Sequence, residues 1–82
     1  MPHIYNHQVS EEEVIEALER AGEDRPGRNG ARVALGQTAS GRYLRVIYVP
    51  DRQPGGVFVV TAYDLEGKPL SAYLKRRKKK LH

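Results

Sequence analysis

The chain has 82 residues, 39% hydrophobic and 29% charged, with a formal net charge of +4; this suits one globular domain with a modest core and excludes a disordered chain. There is no cysteine, which excludes a disulfide framework, a thiolate metal site and a cysteine nucleophile. No apolar run approaches the roughly 18 residues of a membrane span.

The opening residues, Met1-Pro2-His3-Ile4-Tyr5-Asn6, lack a basic segment followed by an apolar one, so no secretion signal is expected. A cytoplasmic location is the expectation, with no membrane partner. The first helix is well marked. Ser10 and Glu13 have the spacing of a capping box, with Ser10 as N-cap. Val9 and Val14 occupy the positions of a hydrophobic staple. Glu11, Glu12 and Glu13 place negative charge at the positive end of the helix dipole. Val14, Ala17, Leu18 and Ala21 recur at helical spacing. The helix is expected from about Glu11 to Ala21, stopped by Gly22.

Residues 22–30 are polar and rich in breakers, and read as a loop. Three β-type runs follow: Ala31–Thr38, Arg42–Val49 and Val57–Tyr63. Ser40-Gly41 is the hairpin turn between the first two. Pro50 to Gly56 form a longer loop. The third run has almost no polar alternation, so it is expected at the centre of the sheet with both faces covered. Asp64 to Gly67 turn the chain, and Pro69 suits the first position of a closing helix. On that helix Leu70, Tyr73 and Leu74 are expected to face the core.

The expected fold class is α+β: an N-terminal helix, an antiparallel β-meander and a basic C-terminal helix and tail over residues 69–82, in one domain spanning residues 1–82. Three strands are the expectation, with a four-stranded sheet as the alternative. No connection is long enough for a parallel crossover between strands.

The positive charge is local. Residues 75–80, Lys-Arg-Arg-Lys-Lys-Lys, hold six of the fourteen Lys and Arg, which leaves eight basic against ten acidic residues, a net of −2, on the rest of the chain. A dense cationic patch on a near-neutral body is a docking site for polyanions. The bland alternative is a solvated tail.

His3 and His7 lie four apart, with no nearby carboxylate as an obvious third ligand, so neither a metal nor any other cofactor is expected. What remains is a set of cations and phenols: Arg32, Arg42, Arg45, Tyr63, Lys68, Tyr73, Lys75, Arg76, Arg77 and Lys78. Metal-free RNA cleavage needs little more. The ribose 2′-hydroxyl is the nucleophile. The protein must orient it, withdraw its proton, protonate the leaving oxygen and neutralise phosphate charge. Arg and Lys supply charge; Tyr, His or Lys can move protons. Each residue also has a structural reading. Arg32 and Arg45 can be exposed strand positions, and the tyrosines core aromatics with wet hydroxyls. His7 reads as a cap or packing residue, and as a general base only if the sheet face lies beside it.

The pattern His7-x-Val9-Ser10-x-Glu12-Glu13, then Arg32-x-x-x-Gly36, then Gly41-Arg42-x-Leu44-x-Val46, then Val59-Val60-Thr61-Ala62 and a basic helix, resembles BrnT-type toxins. These are RelE-like ribonucleases of type II toxin–antitoxin systems. The resemblance runs from His7 to Lys80 and rests on the order and spacing of short segments. It implies a RelE-like fold, cleavage of mRNA (on or off the ribosome), inhibition of translation, and a separately encoded antitoxin covering the basic site. The family's strand arginine and glycine fall on Arg32 and Gly36, and its glycine-arginine pair on Gly41 and Arg42. Its third strand ends in an arginine where this chain has Tyr63. Either Tyr63 takes another role, with Lys68 or Arg76 restoring the charge, or the protein is a weakened or inactive member.

Two functions follow as expectations. In the first, the protein is a metal-independent endoribonuclease toxin, with Arg32, Tyr63, Lys68 and His7 at the chemistry and Arg42, Arg45, Lys75, Arg76, Arg77 and Lys78 binding RNA. In the second, it is a non-catalytic RNA- or ribosome-binding module that uses its basic helix. A third reading, a basic helix docking on an acidic protein surface, would share the charge pattern.

Overall fold

The computed structural model describes residues 9–50 and 56–80. Among these residues six elements follow in chain order: α1 (Glu11–Glu19), β1 (Ala21–Pro26), β2 (Arg32–Gln37), β3 (Tyr43–Pro50), β4 (Val57–Asp64) and α2 (Gly67–Lys80). The four strands form one antiparallel sheet in the order β1-β2-β3-β4. The class is α+β, with four strands rather than three.

The capping box forms as expected. Glu13 N donates to Ser10 Oγ at 3.1 Å, and Ser10 N donates to Glu13 Oε1 at 3.0 Å. Val9 and Val14 are both buried. The helix stops at Glu19, short of Ala21, because Ala21 pairs with Gly36 across the sheet. Gly22 is therefore no helix stop; it lies in the register shift between Ala21 and Glu23.

β1 is the element that the sequence hides. Ala-Gly-Glu-Asp-Arg-Pro contains no β-branched or aromatic residue, and sheet propensity is largely a matter of context. Its charges hold it in place: Glu23 pairs with Arg76 of α2, and Asp24 with Arg32 of β2. It is an edge strand, where a bulge and a proline are tolerated.

β4 is the other edge, not the centre. Only Ala62 of this strand is buried, while Val57, Phe58 and Val60 are exposed. The addition of β1 outside β2 makes β2 and β3 the covered strands. An apolar run signals a β-strand without saying how many neighbours it has.

The helices lie on opposite faces. One core joins Val9, Val14 and Ala17 to Ala34, Leu44, Val46, Tyr48 and Ala62. The other joins Val33, Leu35, Leu65 and Tyr73, with Tyr43, Ile47 and Leu70 packed against them. Side chains alternate between the faces along each strand, so each helix collects every second residue of β2 and β3.

Two glycines set how closely the helices seat. A Cβ on Gly36 would run into the backbone carbonyl of Ala17, so α1 lies directly on this strand position. A Cβ on Gly22 would strike the Tyr73 hydroxyl and the Arg77 guanidinium of α2. Tyr73 is the anchor of α2: its side chain is fully buried and meets Tyr43 edge to face, with centroids 6.2 Å apart. Leu70 is half-buried, but Leu74 is 39% exposed and turns away from the core. The helix starts at Gly67, so Pro69 falls within the first turn rather than at its first residue, where its missing N–H costs nothing.

Candidate nucleic-acid interface

The expected site residues divide between the two faces of the sheet. Arg32 is opposite Tyr48 and Arg45 is opposite Tyr63. Tyr48 belongs to the α1 core, whereas Tyr43 and Ile47, which alternate with it, pack on the α2 side. Arg45 and Tyr63 thus share the α2 face, and Arg32 lies on the reverse.

Arg32 is engaged within the fold. Its Nε donates to Asp24 Oδ1 at 2.8 Å and its Nη2 to the Asp24 carbonyl at 3.0 Å. The Tyr48 hydroxyl donates to the other carboxylate oxygen of Asp24. The bond to Asp24 raises the Arg32 pKa above its ordinary value. Burial, and then the Asp24 carboxylate, push the Tyr48 phenol up.

Arg42 is also committed. Its Nε and Nη2 reach Asp64 at 2.6 and 3.1 Å, and its Nη1 reaches Glu13 at 3.1 Å. This fork joins the start of α1 to the end of β4. Asp64, then Glu13, hold the guanidinium well above its ordinary pKa. The capping N–H of Ser10, more than Arg42, holds Glu13 below the usual carboxylate range. The guanidinium that was expected to bind phosphate makes these ion pairs within the fold.

The α2 face is different. Lys75, Lys78 and Lys79 are exposed, and no carboxylate pairs with them among the described residues. With Arg76 they line one open depression beside the helix. A second, between α2 and β1, is lined by Glu23, Asp24, Arg25, Arg76 and Lys79. Arg76 pairs with Glu23, which raises its pKa. Arg77 turns inward, donates to the Tyr73 hydroxyl at 3.1 Å and lies over its ring, and that bond raises its pKa.

Under α2 is a recess of about 90 Å³. Arg25 of β1, Arg45 of β3 and Arg76 of α2 reach it, between walls formed by Leu35, Leu65, Pro69 and Ala72. The Arg45 guanidinium lies over the Tyr63 ring, 5.8 Å from its centroid. Its Nε is buried and makes no hydrogen bond among the described residues. Arg25 is the cation that sequence reasoning missed, because β1 itself was read as loop. Only its position beside the breaker Pro26 marked it, and that pointed the wrong way.

Lys68 is exposed in the first turn of α2. His7 lies outside the described residues. Among the described residues no three His, Cys, Asp or Glu cluster as metal ligands, and no helix is long and apolar enough to cross a membrane. Compared with models of known protein families, with curated proteins and with solved structures, the chain matches none.

Proposed function

We propose that the protein binds single-stranded RNA through the outer face of α2, without a catalytic step of its own. The observation that carries this reading is the line of Lys75, Lys78 and Lys79, exposed and without carboxylate partners among the described residues. Cations left free in the folded chain can neutralise phosphates and release the counterions condensed on them. The 14-residue helix is about 21 Å long, enough to follow a few nucleotides. Tyr73 holds it against the sheet, so it offers a surface along which a strand can lie rather than a projecting helix that reads a duplex groove.

The ribonuclease reading is supported less well. Arg32 and Tyr63, both assigned to the chemistry, lie on opposite faces of the sheet. What favours it is the pairing of Arg45 with Tyr63 on the α2 face, which sets a cation beside a phenol. In that reading the RelE-like fold, the BrnT-type relationship, the mRNA or ribosome target and an antitoxin over the basic helix belong together.

The experiment is induced expression in a bacterial host with primer extension on abundant transcripts, beside electrophoretic mobility shifts with single-stranded RNA and duplex DNA. Salt-sensitive RNA shifts with intact transcripts support the binding module. New 5′ ends that disappear in Tyr63→Phe support the ribonuclease. Equal affinity for duplex DNA overturns the preference for single strands.

A further inference from the structure

We infer that the recess under α2 is a receptor for a terminal phosphomonoester, so that the protein recognises a phosphorylated RNA end. The inference rests on the RNA-binding reading and deepens it. Three guanidiniums, from Arg25, Arg45 and Arg76, reach this recess from three different elements. One carboxylate, Glu23, pairs with Arg76, leaving a local excess of two positive charges. A phosphomonoester carries about −1.5 to −2 at neutral pH, whereas a phosphodiester inside a strand carries one negative charge. The charge therefore matches an end better than a backbone linkage.

Size leads to the same ligand. Small-molecule pockets usually exceed about 300 Å³, and this recess of about 90 Å³ has room for a phosphoryl group but not for a nucleoside. A mid-strand phosphate has two ester substituents to lead out of so small a space; a terminal one has a single substituent. The recess shares Arg76 with both depressions beside α2, and Arg25 with the second, so the rest of the strand has a path along α2.

Among the described residues, Arg45 is held short of its full set of hydrogen bonds in the fold. A buried donor on a charged group without a partner is costly, and native proteins retain few of them. Arg45 Nε is such a donor. Guanidiniums bind phosphate oxygens through paired, charge-assisted N–H bonds. The Tyr63 ring under Arg45 limits its rotamers, so less freedom is lost when the anion docks.

The test uses the full chain and one short RNA prepared with a 5′-phosphate, with a 3′-phosphate, and with hydroxyls at both ends. Fluorescence anisotropy reads the affinities. The expected result is about tenfold tighter binding of one phosphorylated form than of the hydroxyl form, and the favoured arm identifies the end recognised. Arg45→Met and the surface variant Arg25→Ala should each remove the preference while leaving the hydroxyl form bound as before, with circular dichroism confirming the fold. Lys78→Ala/Lys79→Ala should weaken all three RNAs alike. Equal affinity for the three RNAs in the unaltered protein, or a preference that survives both arginine variants, overturns the end-recognition site and leaves RNA binding standing. No binding of any of the three overturns both.

Discussion

Arg45 and Tyr63 are cross-strand partners on the α2 face, with the guanidinium 5.8 Å from the ring centroid. The pair shows how the residue found where the resemblance expects an arginine can still serve a cation. Tyr63 supports Arg45 with the face of its ring. Tyr63→Phe keeps that face, so the binding reading predicts RNA affinity within about twofold of the parent. Tyr63→Ala removes it, with an expected loss of affinity for the end-phosphorylated RNA equivalent to about 0.5–2 kcal/mol. Anisotropy titrations of both variants measure the difference. A large loss in Tyr63→Phe would place the weight on the hydroxyl.

RNA affinity should fall steeply with salt. For single strands the slope of log affinity against log salt is about −0.7 per phosphate neutralised. Lys78→Ala/Lys79→Ala should therefore flatten that slope by about 1.4 if both lysines contact phosphates. Titrations across a series of potassium chloride concentrations measure it. An unchanged slope would remove the two lysines from the interface.

Arg42 should matter for stability and not for RNA. Its bonds to Asp64 and Glu13 tie α1 to β4, so Arg42→Ala should cost about 1–2 kcal/mol in urea unfolding, with RNA affinity unchanged. The Glu13 pKa is depressed in the fold. Its contribution is therefore fully present above the ordinary glutamate value and is lost as pH falls through the depressed one. Unfolding curves followed into acid should show stability declining there, with a smaller decline in Glu13→Gln. A decline of the same size in the variant would assign it to other carboxylates.

The two close-approach glycines should respond to substitution in different ways. Gly36→Ala sets a methyl against the Ala17 carbonyl, where only backbone can yield, and should cost about 1–3 kcal/mol or more. Gly22→Ala meets side-chain ends, so the Arg77 guanidinium and Tyr73 hydroxyl must shift and α2 should loosen. Urea unfolding reads the first. Faster amide hydrogen exchange in α2 than in α1 reads the second, and equal protection of both helices would count against it.

Local rules were enough for the start of α1. The Ser10–Glu13 box, the buried Val9 and Val14 and the apolar periodicity are all written within a dozen residues, and short-range hydrogen bonds carry them out. The β2–β3 hairpin is equally local: Thr38 N donates to the Arg42 carbonyl at 2.7 Å, and Gly41 turns the chain with a positive φ of 97°. The concentration of charge on α2 needed only a count.

Pairing over distance decided the rest. β1 has no strand signal of its own and exists because β2 offers it an edge and because Arg32 and Arg76 meet its carboxylates. That same strand made β2 an inner strand and brought Arg25 beside Arg45 and Arg76. Alternation along β2 and β3 then sent Arg32 to one face and Arg45 to the other. The sequence by itself determined which segments carry charge and where α1 and the hairpin begin. Which cations remain free for a ligand was decided only by the tertiary structure, because the carboxylates that engage Arg32, Arg42 and Arg76 are brought to them by folding from elsewhere in the chain.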